Sequence, residues 1–134
     1  MIKSIKIFSQ NEAKHRIPNM GDVSLISIVD KNEELLEWSD NVVDIFTMKF
    51  DDTDNSLKDA SPNKQAFKGL KNFVDNLKTE VLIVHCYAGI SRSSAVAAAI
   101  GEYLGIRLKI WTDRHYDPNI LVYELTKEEL FGQL

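Results

Sequence analysis

A three-layer α/β fold, with a central, mostly parallel sheet flanked by helices, is what the sequence predicts, and three observations predict it. Apolar, β-branched runs alternate along the chain with stretches of helical spacing. One of those runs, residues 81–84, reads Val-Leu-Ile-Val, apolar throughout as in a strand buried on both faces. After a short loop comes a stretch rich in alanine and apolar nearly all round, 92–104, the pattern of a helix buried on most sides. At 134 residues the chain has the length of one domain, 1–134, able to enclose its own hydrophobic core.

In order along the chain, residues 2–8 alternate apolar and polar side chains and read as a first strand. Residues 9–22 are polar and turn-like, with Pro18, Asn19 and Gly21 as breakers. Residues 23–29, with Val, Leu and Ile separated by serines, read as the second strand, and 30–38 as an acidic, weakly helical stretch to which Leu35, Leu36 and Trp38 lend apolar contact. A third strand over 42–50 gives way to Asp51-Asp52-Thr53-Asp54-Asn55-Ser56, residues whose side chains compete with regular backbone pairing and make a loop. Ser61 followed by Pro62 marks a helix start, and Ala66, Phe67, Leu70, Phe73, Val74 and Leu77 carry that helix to about 78. Beyond the fourth strand and the 92–104 helix, Gly105 is a stop, 106–112 reads as extended, and 119–131 as a helix bearing Ile120, Leu121, Leu125, Leu130 and Phe131.

Composition narrows the function classes. The chain is 44% hydrophobic and 27% charged, and no apolar run approaches the ~18 residues a membrane span needs. The alternation that begins at Ile2 is unlike the apolar block of a signal peptide, so a cytoplasmic, monomeric protein without membrane attachment is expected. Its net charge is −4 with Lys and Arg scattered, which leaves no basic footprint for a nucleic acid. A single cysteine, Cys86, excludes an internal disulfide and the multi-cysteine zinc patterns, while His15 and His115 lack partners at metal-ligand spacing; neither a metal nor another cofactor is expected.

The chemistry lies where the fourth strand ends. His85-Cys86-Tyr87-Ala88-Gly89-Ile90-Ser91-Arg92-Ser93 has the form H-C-x5-R-S and bridges a strand to a helix. The backbone amides of Tyr87, Ala88, Gly89, Ile90 and Ser91 can wrap an oxyanion, because a tight loop opening into a helix has amides without intrahelical partners and a dipole that favours negative charge. Gly89 permits the sharp turn. Arg92 adds a planar fork that matches two phosphate oxygens, where lysine would supply a point charge. A cysteine beside such a cation and a helix N-terminus is of the kind whose pKa falls from about 8.5 to roughly 3.5–7.5, giving a thiolate nucleophile.

These residues resemble the protein tyrosine phosphatase superfamily, whose signature loop is C-x5-R, commonly preceded by histidine and followed by serine or threonine. The likeness is strongest over 81–104 and extends more weakly over most of the chain to small, single-domain bacterial and viral phosphatases of the dual-specificity type. It implies the cysteine-phosphatase fold and, residue by residue, Cys86 as nucleophile and Arg92 as phosphate binder. It further implies that Ser93 stabilises the thiolate and helps release the phosphoenzyme, and that His85 buttresses the loop. The family protonates the leaving oxygen with an aspartic acid from a loop some thirty residues before the cysteine; Asp52 is the choice here, with Asp51 and Asp54 as alternatives in the same loop. The tryptophan-proline-aspartate triplet of larger tyrosine phosphatases is absent.

Taken singly, a buried cysteine or a helix-capping arginine is more often structural, and the joint pattern outweighs that reading. An acidic turn such as 51–54 is usually just solvated, and it lacks the glycine and terminal glutamate of a calcium loop. Trp38 and Trp111 read as core. The expected substrate is a phosphorylated protein or small phosphomonoester: phosphotyrosine, with phosphoserine and phosphothreonine open to a shallow pocket. Alternatives are a non-catalytic phosphate-binding module, a sulfurtransferase using the same cysteine, and a phosphatase of phosphoinositides, nucleotides or RNA 5′-phosphates. The loop's lack of basic residues between Cys86 and Arg92 speaks against the polyphosphorylated substrates.

Overall fold

The computed structural model describes residues 1–132, in which strands and helices alternate. In chain order these are β1 (Ser4–Ser9), α1 (Gln10–Arg16), a 3-10 turn (Ile17–Asn19), β2 (Val23–Val29), β3 (Val42–Lys49), α2 (Lys64–Phe67), α3 (Leu70–Asp75), β4 (Val81–Cys86), α4 (Arg92–Leu104) and α5 (Ile120–Phe131). The strands form one four-stranded sheet in the order β1-β4-β2-β3, and every pairing is parallel. The expected mostly parallel sheet is thus wholly parallel among the described residues. None of their helices is long and apolar enough to cross a membrane.

The sheet is covered on both faces, as parallel sheets generally are. Alternate residues of β2 and β4 divide between two apolar clusters. Ile26, Ile28, Leu82 and Val84 join the larger, which takes in α4 and buried residues of α2, α3 and α5. Val23, Leu25 and Ile83 join the smaller, against Ala13 of α1 and Ile17. All seven residues of β2 are buried, so its serines need internal partners: the Ser24 hydroxyl lies 2.8 Å from that of Thr79, and Ser27 reaches His85.

Four stretches differ from expectation. Residues 9–22 are not merely a turn, because Ser9 and Glu12 form a reciprocal cap that starts α1: the Ser9 hydroxyl accepts from the Glu12 amide at 3.1 Å, and the Glu12 carboxylate from the Ser9 amide at 2.9 Å. Its apolar stripe is only Ala13 with Ile17 beyond, too narrow to stand out in a polar segment. Residues 30–38 form no helix; they run as a turn and irregular chain after Asp30. The single helix expected over 61–78 is two short ones, capped by Asn63 and broken at Gly69, whose φ of +92° no helix accommodates. Residues 106–112 are irregular and turn-like instead of extended.

The other elements fall where their patterns put them. β1 is displaced to Ser4–Ser9, β3 ends at Lys49, and β4 continues through His85 to Cys86. Gly105, at φ +73°, terminates α4 at Leu104 as its position suggested. Trp38 is half-buried, whereas Trp111 is 50% exposed and stands edge-on to Tyr123, so it is not the core residue expected.

Candidate active site

A parallel sheet delivers the C-terminal ends of its strands to one edge, where the backbone leaves the ladder and its polar groups become available. All four strands contribute there. β4 ends in Cys86, β1 in Ser9, β2 is followed by Asp30, and β3 by Phe50 and the acidic loop.

The loop 87–91 between β4 and α4 is folded down against the end of β1. The Gln10 amide donates to the Tyr87 carbonyl at 3.0 Å. Gly89 has φ +72°, and a Cβ there would stand 2.6 Å from the Ser9 nitrogen and 2.8 Å from the Phe8 carbonyl carbon, so glycine is demanded by both backbone conformation and space. This turn aims the Gly89 amide at Cys86 Sγ, 3.3 Å away. The Ser93 hydroxyl, in the first turn of α4, lies 3.1 Å from the same sulfur. Cys86 is 2% exposed, and two groups able to donate hydrogen bonds therefore converge on it. Tyr87, Ala88 and Ile90 are exposed, Ser91 half-buried.

Arg92 opens α4 and is 5% exposed. Its Nη1 donates to Asp30 Oδ1 at 2.7 Å and to the Phe50 carbonyl at 2.8 Å, so the ends of β2 and β3 hold the guanidinium from one side. Its Nε is buried without a partner. A buried donor left unsatisfied is costly, by roughly 1–3 kcal/mol. The guanidinium edge that carries Nε thus holds a donor that no protein group uses.

His85 is wholly buried beneath the loop. Its Nε2 lies 2.6 Å from Ser27 Oγ, its Nδ1 3.3 Å from the Cys86 carbonyl, and its ring packs tilted against Trp38 at 5.0 Å between centroids. Burial pushes its pKa down to about 4, against the opposing bond to the Cys86 carbonyl and with smaller contributions from the Lys14 and Arg92 charges, so the ring is neutral at pH 7. A neutral ring suits its position, since the Lys14 and Arg92 charges that act on it are positive.

The three aspartates of the acidic loop have separate environments. The Asp51 carboxylate accepts from the Lys31 amide at 3.1 Å, which ties it to the turn after β2. Asp52 is exposed and turned to the 87–91 loop: its Oδ1 accepts from the Ser91 hydroxyl at 3.0 Å and from Asn119 Nδ2 at 3.1 Å. Asp54 is exposed and joins Asp52, Thr53, Ser91, Asp117 and Asn119 around a polar cleft of about 380 Å³. Of the three, Asp52 is the one hydrogen-bonded to the 87–91 loop.

The structure therefore gathers Cys86, Gly89, Ser91, Arg92, Ser93 and Asp52 at one edge, with His85 behind them. Sequence reasoning missed Asp30, Ser27 and Asn119. Asp30 carried the signal of an acidic residue immediately after a buried strand, and Asn119 that of a cap before a helical stretch; Ser27 is indistinguishable in sequence from any serine in a strand. His15 Nδ1 donates to the Asn11 carbonyl, 2.8 Å away, and His115 stacks edge-on with Tyr116, both on the surface. No cluster of three or more His, Cys, Asp or Glu able to hold a metal ion occurs among the described residues.

Compared with family models, with curated proteins and with solved structures, the chain has no match in any of the three.

Proposed function

We propose that this chain is a cysteine-dependent phosphatase with the cysteine-phosphatase fold, hydrolysing phosphate monoesters, phosphotyrosine first and phosphoserine or phosphothreonine through a shallow pocket. The observation that carries the reading is Arg92, fixed by Asp30 and Phe50 through Nη1 while its buried Nε has no partner, one residue beyond a loop of amides that begins at a buried cysteine. Phosphate supplies what Nε lacks, and the arginine fork matches its oxygens.

In this reading Cys86 attacks as the thiolate, favoured by the Gly89 amide and the Ser93 hydroxyl. Sulfur forms a bond to phosphorus as the phosphorus–oxygen bond to the alcohol or phenol breaks, and Asp52 gives its proton to the departing oxygen. The Asp52 carboxylate then takes a proton from water, whose oxygen attacks phosphorus; the sulfur–phosphorus bond breaks and inorganic phosphate leaves. Ser93 is close enough to donate to the sulfur as its charge returns. Arg92 and the loop amides bear the phosphoryl charge through both steps.

Hydrolysis of p-nitrophenyl phosphate and of phenyl phosphate by the wild type, Cys86→Ser and Asp52→Asn tests this. Cys86→Ser should abolish turnover of both. Asp52→Asn should slow phenyl phosphate by about 10²-fold or more and p-nitrophenyl phosphate far less, because nitrophenolate departs without needing a proton. Absence of turnover by pure wild-type protein would remove the proposal. Equal slowing of both esters in Asp52→Asn would transfer the acid's role to another residue.

A further inference from the structure

Asn119 lies between the acidic loop and the loop that holds Cys86, and its groups are fully engaged. Its amide nitrogen Nδ2 donates to Asp52 Oδ1 at 3.1 Å and to the Thr53 carbonyl at 3.0 Å. Its side-chain oxygen accepts from the Val122 amide at 3.2 Å, capping α5. Its backbone amide donates to the Ser91 carbonyl at 3.2 Å, and two residues earlier the Asp117 amide donates to the Ile90 carbonyl at 3.1 Å. The residue is 8% exposed.

The contacts are of two kinds. Those made by the backbone and by Oδ1 start a helix and brace the 87–91 loop. Those made by Nδ2 reach across to Asp52 and Thr53, which otherwise belong to an exposed segment whose neighbours Asp54, Asn55 and Ser56 are all open to solvent. On the Asp52 side, Ser91 is the other hydrogen-bond donor, so Asp52 is oriented by one group from each of two rigid anchors. Both bonds fall on Oδ1, which leaves Oδ2 as the oxygen to carry the transferable proton. Without Nδ2, one rotatable hydroxyl would have to hold a carboxyl on a solvated loop.

We propose that Asn119 is the positioning residue for the general acid, fixing Asp52 so that Oδ2 faces the leaving oxygen. This rests on the assignment of Asp52 as acid, and the experiment separates the two. Asn119→Ser and Asn119→Asp both keep a side-chain oxygen able to cap α5 and both lose the donor to Asp52; serine is too short to reach it, and aspartate repels it.

The measurement is kcat/KM for phenyl phosphate and p-nitrophenyl phosphate across pH, in the wild type, the two Asn119 variants and Asp52→Asn, with thermal unfolding alongside. If Asn119 positions the acid, both variants should lose about tenfold or more on phenyl phosphate and less than about threefold on p-nitrophenyl phosphate, following the selectivity of an acid acting on poor leaving groups. Their alkaline limb on phenyl phosphate should flatten toward that of Asp52→Asn, which a loss of stability alone would not produce. Equal slowing of both esters, an unchanged ratio, or loss of the fold in both variants would overturn the proposal and leave Asn119 a cap. If Asp52→Asn itself shows no preference between the esters, the acid assignment falls first.

Discussion

His85 shows how a single residue ties stability to the loop above it. Buried and bonded to Ser27, it has a folded pKa of about 4, below the 6.5 of a free imidazole. Above pH 6.5 neither the folded nor the unfolded state binds the proton, and its contribution to stability is complete. As pH falls from 6.5 toward 4, the unfolded chain takes up a proton that the folded one refuses, and stability drops by about 2–4 kcal/mol. Urea unfolding at pH 7.0 and 4.5 should register that loss in the wild type and a smaller one in His85→Gln, which cannot titrate; equal losses in the two would assign the acid sensitivity elsewhere. The motif H-C-x5-R-S singled out His85, which the fold buries behind Cys86. Its partner Ser27 was not legible, because a hydroxyl in a strand looks the same whether it meets a histidine or a threonine, as Ser24 does.

At the scale of elements, burial decided what could be read. β2 is buried at every position and α4 from Arg92 to Gly101, and both were legible to the residue because their apolar side chains are too many to hide elsewhere. α1 escaped notice since it buries little and depends on its cap. The α2–α3 pair misled in the opposite sense: Phe67 and Leu70 keep helical spacing, yet both reach the core across a left-handed glycine at position 69. Alanine has room there, its Cβ meeting only a Phe46 ring carbon at 3.6 Å, so backbone conformation alone should govern its effect. Gly69→Ala is expected to cost about 1 kcal/mol or more, read as a lower urea midpoint with an unchanged slope. A stabilised variant would mean that one continuous helix is accessible after all.

Across the whole molecule, the candidate site is a product of topology. Its parts come from the ends of four strands and from the segment ahead of α5, and only the 85–93 portion is contiguous in sequence. The contiguous portion was legible for that reason. Asp30 could not be paired with Arg92 before the sheet order brought the ends of β2 and β4 side by side. Asp30→Ala should keep the fold but weaken the hold on a buried guanidinium, leaving the Phe50 carbonyl as the remaining Nη1 partner. The looser fork should raise KM for an aryl phosphate and weaken competitive inhibition by inorganic phosphate about tenfold, a change of ~1.4 kcal/mol. Tighter phosphate inhibition would show instead that Asp30 acts mainly as a repelling charge.

The strand order has a consequence in time. β4 lies between β1 and β2, so β1 emerges first during synthesis and has no neighbour to pair with until Val81–Cys86 has been made. β2 and β3 can meet early, but the middle of the sheet waits for its latest strand. Closing such long loops before any contact rewards them is slow. Cys86 is the last residue of the strand that completes the sheet, and its thiol is therefore enclosed in the same event that makes the chain a folded protein.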